Sequence, residues 1–280
     1  MILFKAASDL SKHLVEQRKK GIQTGFVPTM GALHMGHLAL IEASRKKAAL
    51  TVCSIFVNPT QFNNPEDFKH YPITIEKDLE ALEAAGCDVV FLPSVEEMYP
   101  RGHQTKHYDL GQIETVLEGH YRPGHFQGVC QVIDRFLEIV QPDHLFLGQK
   151  DFQQCMVVRK LIELLHLQDK IQLTIVPTLR ESDGLAMSSR NLRLNEEQRK
   201  KAVQIYRELR IIEQKIGSES PIQLKENAKQ HLQEQGFEVD YVEIVHPEDL
   251  SPAENGSRPL VALIAATIGP VRLIDNMILN

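Results

Sequence analysis

Over its first 180 residues the chain alternates apolar runs with segments whose apolar residues recur at helical spacing. Short apolar strands are expected at 24–29, 50–57, 88–92, 144–147 and 171–176. Helices are expected at 37–48, 75–85, 126–140 and 151–166. The clearest helix places Val129, Val132, Ile133, Phe136, Leu137 and Val140 at successive three- and four-residue steps, and Pro142 closes it. Gly86 stops the 75–85 segment and Pro93 bounds the strand after it. Strands without polar alternation, separated by helices, imply a parallel sheet covered on both faces. Such an α/β sheet takes its ligands beyond the carboxyl ends of the strands.

After residue 180 the texture changes. Charged helices are expected at 196–216 and 222–235, and strands at 237–245, 260–267 and 271–278, which together make a small α+β domain. The division is therefore 1–180 and 181–280, with the boundary in the polar stretch 181–195. A net charge of −6 over 280 residues disfavours a strongly basic nucleic-acid binder. No apolar run approaches the ~18 residues of a membrane span, and Met1 to Lys5 has no signal-peptide pattern, so a cytoplasmic protein is expected. Cys53, Cys87, Cys130 and Cys155 match no zinc spacing and read as buried free thiols. The basic triplets at 18–20, 45–47 and 199–201 read as solvated helix faces.

The chemistry is concentrated in the turn Pro28-Thr29-Met30-Gly31-Ala32-Leu33-His34-Met35-Gly36-His37, which joins a strand to a helix. Gly31 and Gly36 permit close backbone approach to a ligand, and the amides at a helix start favour an anion. A Walker A loop is excluded because His37-Leu38 stands where Lys and Ser/Thr are required. His34 and His37 also lack the nearby Cys, Asp or Glu of a zinc shell. What remains is a His-x-Gly-His at a helix start, readable either as two surface histidines at a turn or as two imidazoles offered to a phosphate. The loop Asp183-Gly184-Leu185-Ala186-Met187-Ser188-Ser189-Arg190-Asn191 supplies two hydroxyls and a guanidinium suited to a triphosphate.

An HxGH motif followed by a KMSKS-like segment on an alternating α/β chain resembles the nucleotidylyl-transferase superfamily, which includes class I aminoacyl-tRNA synthetases. Five segments narrow the resemblance: 26–34, Ser54-Ile55-Phe56-Val57-Asn58-Pro59-Thr60-Gln61-Phe62, Arg122-Pro123-Gly124-His125-Phe126-Gln127-Gly128-Val129, Gly148-Gln149-Lys150-Asp151-Phe152-Gln153-Gln154 and 183–191. Together, and in this order, they resemble the pantothenate synthetase (pantoate–β-alanine ligase) family. The resemblance implies a Rossmann-like domain and a ligation in two steps. Pantoate and ATP form pantoyl adenylate and pyrophosphate, and β-alanine then displaces AMP.

The resemblance carries the family's ATP contacts to Met30, Gly31, Ala32, Leu33, His34, Met35, Gly36, His37, Gly148, Gln149, Lys150, Asp151, Leu179, Met187, Ser188, Ser189 and Arg190. His37, His34 and Lys150 are the candidate catalytic residues, with His37 at the position of a proton donor. Gln61 and Gln154 match pantoate ligands, with Asn58 as polar support for pantoate or β-alanine. Met30, Phe56 and Phe62 supply an apolar wall. Mg²⁺ is expected with ATP, held mostly by its phosphates, with Asp78 as a candidate protein ligand against the simpler reading of a helix-surface carboxylate. A homodimer is implied. Ile73 stands where the family commonly has Arg, and Gln131 where Thr is common. Another HxGH-type nucleotidyl transferase would have no reason to carry the Asn-Pro-Thr-Gln-Phe or Lys-Asp-x-Gln-Gln segments. A non-catalytic nucleotide sensor would bind ATP without turnover.

Overall fold

The computed structural model describes residues 1–100, 102, 106–253 and 259–279. Contacts divide the chain into two compact units, Met1–Gly148 with Gln153–Pro177, and Gln149–Phe152 with Thr178–Asn280. The return of Gln149–Phe152 to the second unit is a feature that the expected division at 180 does not contain.

The first unit is built on six strands: β1 (Ile2–Phe4), β2 (Thr24–Thr29), β3 (Leu50–Ile55), β4 (Val89–Phe91), β5 (His144–Gly148) and β6 (Gln172–Val176). They form one sheet in the order β1-β4-β3-β2-β5-β6, and every pairing is parallel. Its helices are α1 (Ala7–Lys19), α2 (Met35–Lys47), α3 (Pro65–Lys69), α4 (Ile75–Ala84), α5 (Val95–Met98), α6 (Glu118–Tyr121), α7 (His125–Val140) and α8 (Phe152–Leu164). The apolar stripe of α7 is buried along its length, and Phe136 meets Phe26, Phe56 and Phe91 edge-on. That cluster anchors α7 to the middle of the sheet. β1 and α1 carry weaker patterns: β1 is a mostly exposed three-residue edge strand, and α1 buries little more than Leu10 and Leu14.

The second unit packs α9 (Glu196–Ala202), α10 (Gln204–Lys215) and α11 (Pro221–Glu234) with an antiparallel sheet, β7 (Glu238–Val245), β8 (Leu260–Ile268) and β9 (Val271–Leu279). The single helix expected over 196–216 is interrupted at Val203, which keeps helical angles (φ −63°, ψ −21°). Leu209, Ile212, Leu224 and Leu232 pack with Ala262, Ile264 and Val271 in its core. All four cysteines are free and buried. Among the described residues no helix is long and apolar enough to cross a membrane.

Candidate active site

β2 pairs with β3 at all six of its residues, but with β5 only at Gly25 and Phe26. The sheet is therefore unpaired between β2 and β5 toward their carboxyl ends. This is also its switch point: β3 and β4 follow β2 to one side, β5 and β6 lie on the other. Ligands of open parallel sheets bind at such a point. The HxGH turn leaves β2 there.

The turn is built by side chains that hold backbone. Thr29 Oγ1 donates to Ser54 O (2.6 Å) and accepts from the Gly31 amide (3.2 Å). Gly31 and Ala32 both adopt left-handed angles (φ 82° and 48°), and a Cβ at Gly31 would lie 3.0 Å from both Asp78 Oδ2 and Ile55 Cγ2. His34 caps α2. Its Nδ1 accepts from the Gly36 amide (3.1 Å), and His37 Nδ1 accepts from the His34 amide (3.3 Å). Because both Nδ1 atoms accept, the hydrogen-bond network assigns the ring proton of each neutral imidazole to Nε2. The rings lie 4.0 Å apart at 35°. The arrangement sets two imidazoles side by side at the N-terminus of α2, each with its Nδ1 engaged by backbone.

Asp78, the candidate metal ligand, is not the helix-surface carboxylate of the simpler reading either. It is 2% exposed, and it accepts from the amides of Ala32 (2.9 Å) and Leu33 (2.8 Å) and from Thr74 Oγ1 (3.0 Å). Both oxygens are thus spent on the turn, and among the described residues no group of three or more His, Cys, Asp or Glu is placed to hold a metal ion. The donor set around Asp78 does not fit a divalent cation, which demands several free oxygens.

Gln61 sits in a short 3-10 turn, Pro59–Gln61, and is buried. Its Nε2 faces Met30 Sδ (3.0 Å) and its Oε1 accepts from Asn58 Nδ2 (3.1 Å). Asn58 is buried behind it rather than presented to solvent. Its amide also donates to Gly128 O (3.1 Å), and its Oδ1 accepts from Tyr99 Oη (2.8 Å) and Thr60 Oγ1 (3.0 Å). Burial raises the Tyr99 phenol pKa, so it stays a donor. His125 Nδ1 donates to Gln61 O (2.7 Å). Gly128 allows the close approach of α7, since a Cβ there would meet Thr60 O at 2.1 Å. Gln154 is half-buried on the first turn of α8. Met30 and Phe56 line a cavity of about 220 Å³ together with Ile73 and Asp78. Phe62 packs instead against Phe68 and Tyr71.

The remaining candidates lie in the second unit, except Gly148, which ends β5 in the first. Lys150 follows Gly148 in the 3-10 turn Gln149–Asp151, with Nζ 3.4 Å from Asp151 Oδ1. Residues 179–187 fold back on themselves through an Arg180–Ala186 bridge and the bond from the Met187 amide to Leu179 O (3.1 Å). Ser188 Oγ accepts from the Arg190 amide (3.3 Å) and caps the 3-10 turn Ser189–Arg193. Asp183 is clamped by Arg199 (2.7 and 3.2 Å), whose hydrogen bond lowers the carboxyl pKa.

A family model described as pantoate-beta-alanine ligase matches residues 2–278. The chain belongs to that family. A pantothenate synthetase of Fervidobacterium nodosum is 42% identical over the full length of both chains. One from Pseudomonas aeruginosa is 46% identical over 98% of this chain and 97% of its own. The crystal structure of pantothenate synthetase from Thermus thermophilus superposes with a TM-score of 0.93 at 40% identity, covering 99% of each chain. That of pantoate-beta-alanine ligase from Francisella tularensis, complexed with beta-gamma ATP and beta-alanine, superposes at 0.85 and 33% identity over 99% and 97%. Like its relatives, this family member is a ligase. The sequence motifs contained His125 and Gly128 without indicating that they carry the Gln61 turn. Tyr99, outside those motifs, had no signal at all.

Proposed function

We propose that this chain condenses pantoate with β-alanine at the expense of ATP, giving pantothenate, AMP and pyrophosphate through pantoyl adenylate. The observation that carries the reading is the family match running from residue 2 to residue 278. The paired imidazoles at the opening of the sheet support it chemically.

In this reading a pantoate carboxylate oxygen attacks the α-phosphorus and the bond to pyrophosphate breaks. His34 and His37 donate to oxygens that gain charge in that step, a role for which preoriented donors are most effective. Lys150 follows the phosphates as a point charge, and Ser188, Ser189 and Arg190 take the β- and γ-phosphates. The nucleotide contacts extend to Met30–Gly36, Gly148, Gln149, Asp151, Leu179 and Met187. Gln61 and Gln154 bind pantoate, and Asn58 acts through Gln61, to which it donates. In the second step the free amine of β-alanine attacks the acyl carbon, AMP leaves, and the amine nitrogen gives up a proton. Mg²⁺ belongs to the nucleotide phosphates and not to Asp78. Family resemblance supports a homodimer working in the cytoplasm, and the net charge of −6 favours small-molecule partners over nucleic acid.

The test is reaction order. ATP and pantoate alone should give pyrophosphate and positional isotope exchange within ATP. Pantothenate made without any pantoate-dependent exchange would overturn the adenylate route.

A further inference from the structure

Lys150 follows β5 in sequence, yet its turn is held by β9 of the second unit. Asn276, 2% exposed, donates from Nδ2 to the carbonyl oxygens of both Gln149 (2.9 Å) and Lys150 (2.9 Å). Its Oδ1 accepts from Gln149 Nε2 (3.2 Å). One amide group therefore fixes two consecutive peptide units, those on either side of the Lys150 Cα.

The preceding residue does a related job. Asp275 is buried, which raises its carboxyl pKa, against the opposing pull of Arg180. Arg180 grips it with both terminal nitrogens (2.5 and 3.0 Å). Arg180 also donates to Gly184 O (3.2 Å) and Asn276 O (3.3 Å), and lies 4.4 Å over the Tyr206 ring. Asp275 Oδ1 further accepts from the Asn276 amide (2.8 Å). Two adjacent residues of β9 thus tie down the Lys150 turn and, through Arg180, the segment leading into Met187–Arg190.

We propose that Asn276 is a positioning residue for Lys150: its amide sets the backbone from which the ammonium reaches the ATP phosphates. The proposal rests on the reading of Lys150 as a phosphate contact. The chemistry selects the residue type. Two carbonyl oxygens require two N–H donors on one short side chain, which Asn provides. Asp, of the same shape, would set acceptor against acceptor. A lysine whose backbone is held at two successive carbonyls loses less freedom when its ammonium engages a phosphate.

The experiment measures pantoate-dependent pyrophosphate release by the full chain carrying Asn276→Ala, Asn276→Asp, Lys150→Ala, and Lys150→Ala with Asn276→Asp. Each Asn276 variant should lower kcat for adenylate formation on the order of 10- to 100-fold, the scale of a displaced catalytic group. KM for pantoate should stay within about twofold, since uniform substrate binding is untouched. In the Lys150→Ala background, Asn276→Asp should cost less than about threefold, because residues acting as a unit are not additive. An equal loss in both backgrounds, or a folded Asn276→Asp chain with wild-type turnover, overturns the proposal. Should Asn276→Ala not fold, the isosteric Asn276→Asp decides. If neither folds, Asn276 is a structural residue and the proposal fails. Wild-type adenylate formation by Lys150→Ala would instead remove the reading of Lys150 on which it stands.

Discussion

Asp78→Asn is expected to loosen the HxGH turn without changing the demand for Mg²⁺. The carboxylate accepts three hydrogen bonds at 2.8–3.0 Å, two of them from consecutive backbone amides. An asparagine of the same shape keeps one oxygen. Its NH₂ must then face either the Ala32 amide or the Leu33 amide, donor against donor. Hydrogen bonds to a charged group contribute about 1.5–3 kcal/mol each, and an unpaired buried donor costs about 1–3 kcal/mol. Losing one and weakening the others to neutral strength should cost about 2–4 kcal/mol in total. At about 2–4 °C per kcal/mol for a unit of this size, Tm should fall by about 4–16 °C. Gly31 and Ala32 would relax from their left-handed angles, His34 would lose its fixed position at the start of α2, and pyrophosphate release should slow. Thermal unfolding and pyrophosphate release across a Mg²⁺ titration measure both effects. A variant that melts with the wild type but needs more Mg²⁺ for half-maximal activity would refute the reasoning and make Asp78 a metal ligand.

Other substitutions separate the two substrates. His37→Ala should lower adenylate formation by about 10²–10³, the usual loss for one preorganised donor, while the pantoate KM changes little in steady-state kinetics. Gln61→Ala and Gln154→Ala should weaken pantoate use roughly 5- to 150-fold, from about 1–3 kcal/mol for an unpaired polar contact, and leave binding of a non-hydrolysable ATP analogue nearly intact. Burial pushes the Cys87 and Cys130 thiols up to about 12. At pH 8 almost none of either is thiolate, so a thiol reagent should label them only as fast as the chain unfolds, and rapid labelling of the folded enzyme would contradict their burial.

How much of this was legible in the sequence depends on which kind of partner a residue has. The stripe Val129, Val132, Ile133, Phe136, Leu137 and Val140 announced α7, because burial of one helix face imposes a period that survives in sequence. The uninterrupted apolar runs announced the parallel strands for the same reason. His34 and His37 stood out in the sequence together with the later motifs, and the structure places their rings side by side at the start of α2. The supports of the site did not stand out. The sequence left Asp78 between a metal ligand and a surface carboxylate because its partners are the amides of Ala32 and Leu33, 46 and 45 residues earlier, and an amide has the same appearance in every residue. Asn58 is tied to Gly128 O, 70 residues on, and Asn276 to the carbonyls of Gln149 and Lys150.

A common physical reason lies behind these cases. The candidate substrate-binding groups follow β2, β3 and β5 in sequence, each on a short turn. Each turn leaves backbone donors or acceptors that must be paired once buried. A short carboxylate or carboxamide arriving from elsewhere in the chain pairs two of them at once: Asp78 for Ala32 and Leu33, Asn276 for Gln149 and Lys150. Asn58 joins Gly128 O to the Gln61 side chain in the same way. Such a residue leaves no periodic or motif signature of its own. Its removal nevertheless strands two buried groups together, so its substitution should be felt at the neighbouring His34, Lys150 or Gln61 more sharply than its distance in sequence implies.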